Sequence, residues 1–511
     1  MPDVQAAEPQ APARGLAPTA LVLLAALLVF APLLRSGQVP IAQLVLELLA
    51  VALLVVLFWE PKRVLVGPAQ AWALAVLLVY PLLYLVPLPA ALVGWLPGWD
   101  LYRPLEAVGD WIPASGATRL SLVPLETEST WLLLVPAVAV FVATRMLRAD
   151  QAQRLVWLLL GVAAFQASLG LIQYGAGAGP LYLGMEHAHG NAVGTYTNRN
   201  HLAGLIEMTL PMAIALLVFS IGRRSARERA NWRRRVAFFG SLRGQAAVGY
   251  AAIALLLLIG IVFTRSRGGI ALTMLGILLA TLAFSRRIGG TNVYGLTGTL
   301  VASAVGIAIV IGLGPVLDRF TITGTIENAR WPIYSATLTG IGHFFPLGSG
   351  PGTYPDVFPA FQPIELGRWF VKHAHNDYLE WLLEGGIIAA GLILLFIVVF
   401  LAQWRRVWTP GTWSRMRFVQ VAAGIGLLLL ALHGLVDFNL HIPANIVYFA
   451  FLAGVFFSEP APENQAIRSQ RRRRQRSDFG EDPEPSTQPP RPRTRRQPAP
   501  PSEQIKNPFL D

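Results

Sequence analysis

Four stretches of this sequence concentrate side chains able to move protons and hold anions. They are Gly194-Thr-Tyr-Thr-Asn-Arg-Asn-His201, Thr264-Arg-Ser-Arg-Gly-Gly269, Arg330-Trp-Pro-Ile-Tyr334 ahead of Gly348-Ser-Gly-Pro-Gly352, and His373-Ala-His-Asn-Asp-Tyr-Leu-Glu-Trp-Leu-Leu-Glu-Gly385. A histidine titrating near neutrality can take the proton of a hydroxyl as that hydroxyl attacks. Guanidinium forks match phosphate oxygens two at a time. Held in place, they stabilise the charge growing on a leaving diphosphate more than they stabilise the bound ground state. These residue types therefore suit transfer of a group from a diphosphate to an alcohol. In the last stretch Asn376 or Asp377 can cap a helix, and Asp377, Glu380 and Glu384, at i, i+3 and i+7, share a face of it.

The elements that must position these groups are membrane helices. Of the 511 residues 54% are hydrophobic and only 14% charged, more apolar material than a soluble domain of this size buries. Apolar stretches of roughly 17 to 25 residues recur, each long enough to cross a bilayer as a helix. The spacing predicts an all-α integral membrane protein with about twelve transmembrane helices, at 16–34, 41–59, 69–88, 129–146, 154–173, 200–221, 246–264, 268–285, 293–314, 377–402, 418–436 and 443–458. A transmembrane barrel, whose strands would alternate in hydrophobicity, is excluded. The first stretch follows only Arg14 and lacks a small-residue cleavage site, so it reads as a retained helix after a cytoplasmic segment 1–15. There is no cysteine, which removes disulfides, thiolate metal sites and a cysteine nucleophile.

The charge of +12 suits orientation in the membrane better than nucleic acid, because the arginines lie between apolar segments and in the tail. With both termini inside, every strongly basic connection falls in the cytoplasm: Lys62 and Arg63, Arg148, the eight arginines of 222–245, Arg286 and Arg287, and Arg405, Arg406, Arg415 and Arg417. The proline- and arginine-rich tail 459–511 reads as a disordered cytoplasmic extension. Two outer connections are long, 89–128 and 315–376, and the second is the expected roof over a site, between helices nine and ten. No internal repeat of fixed period is apparent, which disfavours an inverted-repeat transporter.

This topology gathers all eight histidines (His187, His189, His201, His343, His373, His375, His433 and His441) on or near the outer face. Six arginines there break the positive-inside pattern: Arg199, Arg265, Arg267, Arg319, Arg330 and Arg368. Cations so placed call for an anionic partner, which a diphosphate joined to a lipid would supply.

The segments Asn198-Arg-Asn-His201, Ser266-Arg-Gly-Gly269, Arg330 with the later glycine run, His375-Asn-Asp-Tyr-Leu379 with Glu384-Gly385, and His433-Gly-Leu-Val-Asp-Phe438 together resemble the O-antigen ligase and polymerase superfamily. The likeness runs through about 120–455 in order and spacing. It implies a glycan moved from an undecaprenyl-diphosphate carrier to an acceptor hydroxyl at the periplasmic face of the bacterial inner membrane, without nucleotide sugar, cofactor or metal. It also implies that Arg267 and Arg330 hold the diphosphate and that His375 is the essential histidine, with His373 the alternative. Asn198, Arg199, His201, Arg265, Arg319, His373, Asn376, Asp377, Tyr378, Glu384 and His433 are the expected substrate-binding set. Ligation of O-antigen to lipid A–core is the expected reaction, with repeat-unit polymerisation, protein O-glycosylation and, in another class, transport of a lipid-linked glycan as alternatives.

Quieter roles are open for the same residues. His375 could serve loop packing, Arg267 a headgroup anchor, Arg330 an ion pair with Glu327, and Asp377 a helix cap. The pairs His187/His189 and His373/His375 resemble metal ligands, but no carboxylate set of obvious spacing accompanies them. The glycine run reads as a turn, since Pro351 removes a donor and no lysine follows in Walker-type spacing.

Overall fold

The computed structural model describes residues 15–60, 67–98, 117–176, 190–222, 232–285, 287, 293–312, 325–408, 410 and 413–458. The N-terminal segment before Gly15, the basic tail from Glu459, His187, His189 and Arg319 lie outside the described residues.

Each of the twelve predicted stretches is a helix: α1 (Pro18–Phe30), α2 (Pro40–Phe58), α3 (Pro68–Leu85), α4 (Pro124–Arg145), α5 (Ala149–Ala176), α6 (Arg199–Gly222), α7 (Leu242–Thr264), α8 (Arg267–Ser285), α9 (Val293–Gly312), α11 (Asp377–Val407), α12 (Arg415–His433) and α13 (Pro443–Phe456). Among the described residues nine helices have the length and apolarity to cross a membrane; α1, α13 and the described part of α9 are shorter. A further long helix, α10 (Thr325–Phe344), was not foreseen in the 315–376 connection. Pro332, three threonines and two glycines blur its period in the sequence. Packing defines it instead: Ile333, Ala336 and Phe344 bury against Tyr354, Val357, Phe358, Leu366 and Leu383 in a small core separate from that of the bundle.

The bundle is organised around α6, which is apolar on every side and buried from His201 to Ser220. It is flanked by α5, α7, α8, α12 and α13. Small residues allow the approach: a Cβ on Gly269 of α8 would stand 2.5 Å from the Ala203 methyl, and one on Gly426 of α12 would stand 2.6 Å from the Met208 carbonyl.

The loop after α10 sets the start of α11. Gly348, Gly350 and Gly352 take φ of 84°, 112° and 81°, so the glycine run is a turn. Ser349 and Gly350 donate their amides to the carbonyls of Leu383 (3.0 Å) and Glu384 (2.8 Å). At Gly386 (φ 50°, ψ −130°) α11 breaks, and the Ile387 amide turns to the Pro346 carbonyl at 2.8 Å. The first turns of α11, which carry the acidic residues, are thus a short piece fastened to the loop and not a simple extension of the span.

Candidate active site

The starts of α6, α8, α11 and α13 and the ends of α7 and α12 meet at one end of the bundle. Asp437, in the link between α12 and α13, is its electrostatic centre and is fully buried. Its Oδ1 lies 3.4 Å from His375 Nδ1 and accepts the Phe438 amide at 3.0 Å, while the Asn200 side chain donates to Oδ2. Burial alone would push its pKa up. The imidazoles of His375, His201 and His433 outweigh this and hold the carboxyl well below the usual carboxylate range, so it is ionised.

His375 is shaped to use that carboxylate. Its φ of 52° is left-handed, at a cost of about 1 kcal/mol for a residue with a Cβ. The Tyr334 hydroxyl holds its carbonyl at 2.8 Å, and the Phe438 ring meets its ring edge-on at 5.1 Å. With Nδ1 toward Asp437 and a side chain 27% exposed, Nε2 is the nitrogen left for a substrate. Tyr334 also joins Arg330 to the group. Burial raises its phenol pKa, the Arg330 charge works against this and the Asp437 charge adds to it, so both charges are felt at one hydroxyl. Arg330 therefore projects from helix α10 and not from an irregular loop.

A second network lies behind the first. Asn376 caps α11, its side chain accepting the amides of Tyr378 and Leu379 at 3.0 and 3.1 Å. That corrects the reading of Asp377 as a cap. Asp377 is inside the helix, fully buried, and accepts from His441 Nδ1 at 2.7 Å and from the Leu440 amide at 3.1 Å. Glu380 lies 2.8 Å from His373 Nδ1, accepts the Ala374 amide at 2.7 Å, and stands 3.3 Å from His441 Nε2. Burial would lower the His441 pKa, but Glu380, Asp377 and Glu384 push it up to about 10, so it is a cation. Burial lowers His373 by more than Glu380 restores. His373, stacked on Phe438 at 4.1 Å, is committed to this network, whereas His375 faces outward. Ligand atoms of His373, Glu380 and His441 lie within 4.8 Å of one another, a donor set that could hold a metal ion. As it stands the set is also self-consistent as alternating ion pairs.

The Ser-Arg-Gly turn reaches the centre through His433. Arg265 ends α7 in the left-handed region (φ 57°) and donates to the Gly190 carbonyl at 3.0 Å, while Ser266 Oγ accepts the Gly269 amide at 3.2 Å and starts α8 at Arg267. A Cβ on the next residue, Gly268, would stand 3.3 Å from His433 Nε2. The other nitrogen of His433 lies 2.8 Å from Glu207 of α6, both side chains being buried. The His433 carbonyl accepts the Asp437 amide at 3.0 Å. The turn before α8 thus packs beside His433, whose backbone leads to Asp437, and Asp437 in turn meets His375, the partner of Tyr334.

The remaining expected residues divide. Asn198 Oδ1 accepts the Asn200 amide at 2.9 Å at the start of α6, and His201 meets Phe438 edge-on at 4.8 Å, its ring nitrogens buried without a hydrogen-bond partner. Arg199 and Arg265 point to the 190–191 segment, Arg199 donating to Asn191 at 3.1 Å. The Tyr378 hydroxyl donates to the Ala431 carbonyl at 2.6 Å, and Glu384 accepts the Tyr354 amide at 3.0 Å. Both of these are engaged within the protein. Residue typing passed over Asn200, Glu207, Tyr334, Glu380, Asp437 and His441 as site members. Glu207 carried a legible signal, a lone carboxylate within an apolar helix.

Residues 252–394 match the Wzy_C family model, described as O-antigen ligase. This stretch is similar to an O-antigen ligase domain. That family is one of membrane glycosyltransferase-like enzymes acting on lipid-linked glycans and lipid acceptors. The O-antigen ligase match takes in the Ser-Arg-Gly turn, Arg330, the glycine turn and His375 through Glu384, and ends before Asp437 and His441. No curated protein matches the sequence.

Proposed function

We propose that this protein transfers a glycan from undecaprenyl diphosphate to an acceptor hydroxyl, with lipid A–core as the acceptor, at the periplasmic face of the inner membrane. The observation that carries the reading is His375, held between the ionised Asp437 and the Tyr334 hydroxyl with its second nitrogen outward. In the step, the acceptor oxygen bonds to the anomeric carbon as its proton passes to His375 Nε2, and the bond from that carbon to the diphosphate oxygen breaks. Asp437 keeps the imidazole in the tautomer that can accept and stabilises the imidazolium that forms. The diphosphate leaves with its charge opposed by Arg267 and Arg330. No metal or cofactor is required by this chemistry. The periplasmic orientation is supported by the placement of the site at one end of the bundle, with Arg243, Arg405, Arg406, Arg415 and Arg417 at the opposite helix ends.

The test is direct. Purified full-length protein bearing His375→Ala, given lipid-linked glycan and acceptor, should lose roughly 10²- to 10⁴-fold in rate; transfer at the parent rate removes the base role. Deleting the gene separates the acceptors: long polymer accumulating on its carrier marks a ligase, single repeat units a missing polymerase, and loss of protein glycan alone a protein O-glycosyltransferase.

A further inference from the structure

At the end of the bundle opposite the site, Gln153 of α5, Phe219 and Ser220 of α6, Arg243 of α7 and Arg415 of α12 line a cavity of about 320 Å³. α6 alone separates the two ends by about 36 Å, its 24 residues rising 1.5 Å each. We propose that this cavity takes the phosphate headgroup of an anionic phospholipid from the surrounding bilayer.

The cavity combines two guanidinium groups from different helices with an amide, Gln153, that can donate. Among the described residues neither Arg243 nor Arg415 meets a carboxylate in an ion pair. Other cations of this end are engaged elsewhere: Arg287 lies over the Trp413 ring at 4.4 Å, and Arg417 donates to Gln420 at 2.9 Å. Arg415 rests its guanidinium on the face of Phe219 at 5.3 Å, which orients the group and leaves its N–H edge for an acceptor. The volume would hold about ten waters, room for a phosphate with its glycerol substituent and not for a large folded partner. The lining residues stand at or near the ends of helices long and apolar enough to cross a membrane, and the ends of such helices meet the headgroup layer. Basic pockets between helix ends on the basic side of a membrane protein are where anionic headgroups are held.

The ligand chemistry is a phosphate anion, and the source is the bilayer. The full chain is reconstituted in nanodiscs of phosphatidylcholine containing a minority of phosphatidylglycerol, extracted, and its retained lipid counted by native mass spectrometry. The parent should retain phosphatidylglycerol above its share of the bilayer. Arg243→Gln and Arg415→Gln should each weaken retention about tenfold, the loss expected of one charge-assisted hydrogen-bonding partner. Arg405→Gln, at the same end but outside the cavity, should leave retention unchanged. Equal retention by the double Arg243→Gln/Arg415→Gln variant, or an equal loss in Arg405→Gln, overturns the proposal. Should the double variant fail to fold, the parent decides alone, since its melting temperature must be higher in phosphatidylglycerol nanodiscs than in phosphatidylcholine, and equal melting refutes it. Stabilisation by inorganic phosphate in phosphatidylcholine nanodiscs, matching that by the lipid, would overturn the bilayer as the source.

Discussion

Replacing Asp437 by asparagine removes one charge while keeping the shape of the side chain. In the proposed step, the imidazolium formed at His375 faces a carboxylate 3.4 Å away. Coulomb attraction at that separation is about 5 kcal/mol at an effective dielectric of 20 and about 1 kcal/mol in bulk water. Asp437 is fully buried and the His375 side chain is 27% exposed, so the site lies between these limits. A value of about 3 kcal/mol corresponds to a rate loss of roughly 10²-fold. The amide also lets His375 Nδ1 face an N–H, which favours the wrong tautomer and adds to the loss. The assay is single-turnover transfer from purified lipid-linked glycan to acceptor by the full chain in nanodiscs, over a range of donor concentrations. The turnover rate should fall about 10²-fold while KM for the donor holds, because Asp437 is buried beside the imidazole and acts on the acceptor's proton in the proposed step. A folded Asp437→Asn protein, with parent circular dichroism and melting, that transfers glycan within threefold of the parent rate would refute the pairing of His375 with Asp437.

Two further outcomes are expected. Arg267→Lys and Arg330→Lys keep the charge but lose the two-pronged hydrogen bond, and each should slow transfer by roughly 10- to 10²-fold, with the loss in turnover and not in acceptor KM; parent rates in both would remove the clamp. The raised pKa of His441 makes stability depend on pH: its contribution is fully present below about 6.5 and is lost as pH rises toward about 10. Melting temperature should fall across that window, and His441→Gln should flatten the fall; an unchanged slope in the variant would show that His441 is not its source.

Much of the architecture was legible from composition because a bilayer imposes length and apolarity on each span, and all twelve predicted stretches are helical. Helix α10 was not, since it sits outside the hydrocarbon requirement. Its residues are mixed in polarity, and what makes it a helix is burial against the loop after it and Leu383 of α11. The break of α11 at Gly386 was equally hidden, because Gly-Gly within an apolar run is also common in an unbroken span.

For the site, the sequence by itself determined which cations and imidazoles were out of place, and so at which end of the bundle they gather. Through the resemblance of its motifs it also proposed Arg267 and Arg330 as a clamp and His375 or His373 as a base. Which histidine faces outward was decided only in three dimensions, where His373 is drawn to Glu380 and His375 to Asp437. Carboxylates pair with imidazoles from distant parts of the chain: Asp437 lies 62 positions from His375, and His441 lies 64 from Asp377. One-dimensional spacing holds no trace of such pairs, because buried charge must find its partner in space, and the folding of α11 and α12 against each other sets which partner that is.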